Sequence, residues 1–132
     1  MPSPRLALTA LLLLISGVLC PLLAQAAPAD SAALRIARGK RLFEAKGLCF
    51  SCHGALGEGV LGPNTRLDGL KVWLHSKGTH PEIVALIKTG IEATKAQNGT
   101  AMPPRGGSRL TDAEVELVAA YVVVLHQRKP TP

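Results

Sequence analysis

The chain has 132 residues, 15 Lys+Arg against 9 Asp+Glu, 47% hydrophobic residues and only 3% aromatic ones. That length allows one small domain at most. The net charge of +6 comes from scattered basic residues with few aromatics beside them, a pattern that does not suit a nucleic-acid surface.

The first stretch reads as a leader and not as part of the domain. Arg5 supplies a positive start, Leu6 to Leu23 is an apolar run broken by Pro21, and Ala24-Gln25-Ala26 places small residues where a signal peptidase cuts. The expectation is a signal peptide over residues 1–26, cut after Ala26, and a domain over 27–132 in the periplasm. An uncleaved anchor is the alternative, since the apolar run approaches the length of a membrane span; only then would the chain be held at a membrane. Cys20 is read as part of the apolar run, because Leu19 stands where a small residue would precede a lipidated Cys. Loss of residues 1–26 removes one basic residue, Arg5, and no acidic one, leaving 106 residues with a net charge of +5.

Ser31 to Lys46 is helical in pattern. Ile36, Gly39 and Phe43 share a face, with Ala32 one turn earlier, and Arg35, Arg38, Lys40 and Arg41 lie away from it. Asp30 or Ser31 can cap its start, and Gly47 suits the position after its end. Gly54 to Asp68 is Gly-rich and irregular, and a short helix is expected around Leu67 to Leu74. Pro81 to Thr89 reads as a helix with Pro at its first position and Gly90 at its stop. Ile91 to Leu110 is again irregular. Thr111-Asp112-Ala113-Glu114 is a capping box ahead of a last helix running to about His126. Val122-Val123-Val124 alone would suit a strand, but the capping box and the length favour the helix.

Two long irregular stretches in so small a domain are expected only if they wrap a ligand. The four aromatics beyond the leader, Phe43, Phe50, Trp73 and Tyr121, give a chain of this size little apolar area to bury, so a flat apolar cofactor would complete its core.

Cys49-Phe50-Ser51-Cys52-His53 is C-x-x-C-H, the c-type haem attachment motif. Two thiols three residues apart on one helical turn can each add to a haem vinyl group, and the adjacent His53 can turn its imidazole to the iron. A disulfide here would close almost no loop and constrain little. A redox disulfide of the thioredoxin kind expects a βαβ setting, and a zinc site needs further ligands; neither is evident. The expected cofactor is one haem c, covalent through Cys49 and Cys52.

Met102 is the one methionine left beyond the leader, in Gly99-Thr100-Ala101-Met102-Pro103-Pro104. A lone Met is commonly core filler, yet a polar Gly/Pro-rich loop is no core position, so it is favoured as the second axial ligand. A thioether there favours the reduced iron and raises the potential. His75, His80 and His126 are rival ligands; His80 and His126 are more simply surface or cap residues.

With these motifs in hand, the chain resembles class I single-haem cytochromes c from about Ser31 to Leu125. Gly62-Pro63-Asn64 is similar to the family's turn whose proline carbonyl accepts a hydrogen bond from the ligating histidine, which implies that Pro63 orients His53. Gly39, Phe43 and Tyr121 look like the residues at the crossing of the family's terminal helices. Ala101 to Gly107 is similar to the Met loop of bacterial members, the c5-like group especially, although the extra cysteine pair often found there is absent. The resemblance implies an all-α cytochrome c fold with crossed terminal helices and loops around one covalent haem. It implies a His53/Met102-ligated electron carrier, not an enzyme in its own right, or else a cytochrome subunit of a larger oxidoreductase. A haem sensor or enzyme with an open sixth position is the reading that holds if Met102 does not bind iron. The basic net charge suits redox partner proteins with an acidic docking patch.

Overall fold

The computed structural model describes residues 31–97 and 99–130. The leader reading of residues 1–26 and a cap at Asp30 lie outside the described residues. Among the described residues there are four helices, α1 (Ala32–Glu44), α2 (Phe50–His53), α3 (His80–Thr89) and α4 (Asp112–His126), with 3₁₀ turns at Pro63–Thr65 and Pro104–Gly107. Among the described residues the only β pairing is an isolated antiparallel bridge between Ile91 and Met102, so the fold is all-α as expected. No helix among the described residues is long and apolar enough to cross a membrane.

The core sits where α1 crosses α4. Ser31 caps α1 by accepting from the Leu34 amide at 3.3 Å. Gly39 and Phe43 are its buried positions; Ile36 packs on the core in part, and Ala32 at the first turn is exposed. The backbones meet at Gly39: a Cβ there would collide with the Leu117 carbonyl of α4 and come within 3.0 Å of Tyr121 Cβ. One turn on, the Phe43 and Tyr121 rings meet edge to face with centroids 5.4 Å apart. The Thr111–Glu114 capping box of α4 forms in both directions, and Val115, Val118, Ala119, Tyr121, Val122 and Leu125 are buried along it. The valine run is therefore helical. Helix α3 has a capping box of its own, Thr79 with Glu82, and delivers Ile83, Val84 and Ile87 to the same core.

Two local expectations are corrected. Leu67 to Leu74 is not a helix. The Leu67 and Asp68 amides both donate to the Gly57 carbonyl, at 2.7 and 3.1 Å, and Gly69 lies at φ +61; the segment is tied across the loop and not along itself. Gly47 is not a left-handed stop for α1. That conformation falls to Leu48, at φ +54. Gly47 is buried, its amide reaches back to the Leu42 carbonyl at 2.7 Å, and a Cβ would lie 2.7 Å from that oxygen. Glycine serves close approach there, not a positive φ.

Candidate haem site

The attachment motif forms one helical turn. Cys49 has helical φ/ψ at −62 and −35, and its carbonyl accepts from the His53 amide at 3.0 Å. The turn leaves Cys49 half-buried, Cys52 exposed and His53 half-buried. Burial pushes the Cys49 thiol up to about 11, the other main influence being its own backbone hydrogen bonding, which lowers it; it is a neutral sulfur in an apolar wall.

His53 is oriented from behind. Its Nδ1 lies 2.6 Å from the Thr65 carbonyl oxygen. A carbonyl only accepts, so Nδ1 carries the proton and Nε2 presents a lone pair. Burial lowers the His53 pKa, outweighing the Thr65 carbonyl that raises it, and the neutral ring is the form that binds metal. The expected partner, Pro63, is corrected in one respect. Its carbonyl accepts from the Arg66 amide at 3.2 Å, and the carbonyl facing His53 is that of Thr65. The reason is local: Pro63 opens a 3₁₀ turn after Gly62 at φ +115, and the turn's last residue is the one that faces the imidazole.

Met102 is held by the bridge to Ile91, with Ile91 N to Met102 O at 2.8 Å and Met102 N to Ile91 O at 2.9 Å. The bridge binds the loop before α4 to the end of α3, where Gly90 lets the two backbones approach closely at φ +72.

These residues meet at two adjoining clefts that share much of their lining. Cys49, His53, Met102 and His75 line both. Phe43, Trp73, Ile83 and Val118 carry the first cleft into the core, and Cys52, Leu61 and Ala101 carry the second to the surface. Apolar walls, two thiols, an imidazole with a free Nε2 and a thioether on one pair of clefts fit a large flat haem that reaches solvent at one edge. Among the described residues no three His, Cys, Asp or Glu come together as a metal-ligand set.

Of the rival histidines, His75 borders the clefts. His80 is engaged elsewhere, its Nε2 3.1 Å from the Glu116 carbonyl of α4. His126 stacks on Trp73, ring centroids 3.9 Å apart, so it backs the cleft wall and is not a plain surface residue. Sequence reasoning also missed Thr65, which acts through a backbone atom, and the buried Asp68, which pairs with Arg66 of the cleft wall at 2.6 Å. The one available signal for the latter was the Arg-x-Asp spacing.

The family model described as "Cytochrome C oxidase, cbb3-type, subunit III" matches residues 34–122. The matched span includes the attachment motif, the Met102 loop and most of the two crossing helices. No curated protein and no solved structure matches the chain. With its attachment motif, its all-α fold and that match in agreement, the chain belongs to this cytochrome c family, and it is a class I single-haem c-type cytochrome whose haem c is covalent through cysteine.

Proposed function

We propose that this protein is a periplasmic carrier of single electrons, with haem attached at Cys49 and Cys52 and the iron held between His53 Nε2 and Met102 Sδ. The observation that carries the reading is that Cys49, His53 and Met102 line the same two clefts. Bound haem supplies a one-electron couple between Fe(II) and Fe(III). The chain's own work is to keep the environment the same in both states. The Thr65 carbonyl fixes the tautomer and plane of His53, with Pro63 setting the turn that presents it. The Ile91 bridge anchors the Met102 backbone, and Phe43, Ile83 and Val118 exclude water from the inner wall. Electron transfer of this kind needs no general base, nucleophile or open metal position.

The leader over residues 1–26 would deliver the 27–132 domain to the periplasm, where one-electron exchange with partner proteins takes place at the exposed Cys52 edge. The positive net charge favours partners with an acidic docking patch. A second reading has specific support: the matching family is described as subunit III of a cbb3-type oxidase, so the same domain would also serve as the cytochrome subunit of a larger oxidoreductase.

Visible spectra of oxidised and reduced holoprotein, with and without CO, test the site. A low-spin spectrum, a Met–iron charge-transfer band when oxidised and no response to CO are expected, with Met102→Ala becoming high-spin and CO-binding. A wild-type protein that takes up CO as readily as Met102→Ala would turn the reading towards a sensor or enzyme. Co-purification with a larger catalytic subunit would select the subunit over the free carrier.

A further inference from the structure

Three residues beyond Met102, Arg105 adopts φ +55 and ψ +26, a left-handed conformation that a residue with a long side chain keeps only when its surroundings over-determine it. Those surroundings are visible. The Arg105 carbonyl accepts from the Ser108 amide at 3.2 Å and from Ser108 Oγ at 2.6 Å. Its guanidinium donates through Nη1 to the Leu110 carbonyl at 2.8 Å and through Nη2 to Asp112 Oδ1 at 2.5 Å. Asp112 opens α4 and also receives Lys88, the penultimate residue of α3, on Oδ2 at 2.6 Å. The next residue, Gly106, borders both clefts beside Met102 and would bring a Cβ within 3.1 Å of the Gly47 carbonyl, just ahead of the attachment motif. The Met102 loop is thus held at two points: by the Ile91 bridge at Met102 itself, and by Arg105 against the start of α4.

We propose that Arg105, seated by Asp112, is a positioning residue for Met102: it latches the loop so that the thioether stays on the cleft and small ligands do not gain the sixth position. The proposal rests on the reading above that Met102 is an axial ligand. It does not need a strong ion pair. Exposed pairs contribute little, and Asp112 is 64% exposed at its side chain. Arg105, at 29%, is the better enclosed partner and has the second acceptor at Leu110. The latch therefore depends more on Arg105 than on Asp112, and least on Lys88, which touches Asp112 and not the loop.

The test uses full-length holoprotein and reads the Met–iron band of the oxidised form together with the CO association rate of the reduced form. Arg105→Gln should raise the CO rate on the order of tenfold, as expected for losing hydrogen bonds made by a charged group, and weaken the band. Asp112→Asn should raise the rate roughly three- to fivefold, Arg105→Lys should fall between wild type and Arg105→Gln, and Lys88→Gln should stay near wild type. The double variant should exceed Arg105→Gln very little, because both changes break one contact. Thermal melts of each variant establish that it is folded, and Asp112→Asn keeps the test open if Arg105→Gln is not. Wild-type rates and bands in Arg105→Gln would overturn the latch. Fully additive effects would overturn it too, since Asp112 would then act through the helix end alone. A wild-type protein that binds CO as fast as Met102→Ala would instead show that the ligand assignment has failed.

Discussion

His53 Nδ1 sits 2.6 Å from the backbone carbonyl of Thr65, the last residue of the Pro63–Thr65 turn. His53 is thereby given its tautomer by an atom that no side-chain substitution removes. What can be changed is the stiffness of the turn, and Pro63 supplies it by fixing φ at the first position.

Pro63→Gly should leave haem attachment intact and loosen the Thr65 carbonyl. A weaker acceptor makes His53 Nε2 less basic, which disfavours Fe(III) and raises the potential. The expected rise is roughly 30–60 mV, about 60 mV being one tenfold step for a one-electron couple and near the lower end of what such a partner contributes. Spectroelectrochemical titration measures it, and an unchanged potential would remove Pro63 from any role towards His53.

At the helix crossing, Gly39→Ala places a methyl against the Leu117 carbonyl. Backbone cannot yield as a flexible side chain does, so the helices must separate, at a cost of about 1–3 kcal/mol. Holoprotein should melt several degrees lower with its room-temperature spectrum unaltered. A melting temperature equal to wild type would mean that α1 and α4 are not packed this closely.

Acid sensitivity should trace in part to Glu114. Its carboxyl is lowered to about 2, first by the hydrogen bond from Lys46 and then by the Thr111 amide. The unfolded chain titrates near the ordinary 4.5, so between about 4.5 and 2 the unfolded state binds more protons and stability rises with pH. The contribution is complete above that window and lost as pH falls through it. Glu114→Gln should flatten this part of the stability–pH curve while leaving the neutral-pH spectrum unchanged; the group is solvent-exposed, so the effect is modest and shrinks with salt. Equal acid slopes in both proteins would contradict the assignment.

If an acidic partner is steered by the +5 charge of the 27–132 domain, the second-order rate of electron exchange should fall steeply as ionic strength rises. Stopped-flow mixing at several salt concentrations decides this, and a flat dependence would leave the positive charge without a part in encounter.

Much of the domain was legible in the chain alone because its signals are local. The C-x-x-C-H spacing depends on one helical turn, the Thr111–Glu114 capping box on four residues, and the amphipathic face of α1 on the 3.6-residue period. Even Gly39, Phe43 and Tyr121 stood out as a set, through resemblance to a known helix crossing. The Leu67 to Leu74 helix failed because Gly69 takes φ +61, which interrupts a right-handed helix at its third residue, while the Gly57 carbonyl ten residues away fixes the Leu67 and Asp68 amides across the loop; nothing within the segment records that tie. The partner of His53 was displaced from Pro63 to Thr65 for a similar reason, since which carbonyl of a tight turn faces a ring is set by the turn's placement in space. The Arg105–Asp112–Lys88 contacts are likewise invisible in sequence order, and the Arg66-x-Asp68 spacing shows a possible pair but not its burial. Residue types and short spacings therefore determined the cofactor chemistry and the helices, whereas the backbone atoms that orient His53 and the ties that hold the Met102 loop were decided only in the tertiary structure, where the chain's long-range contacts select among locally equivalent partners.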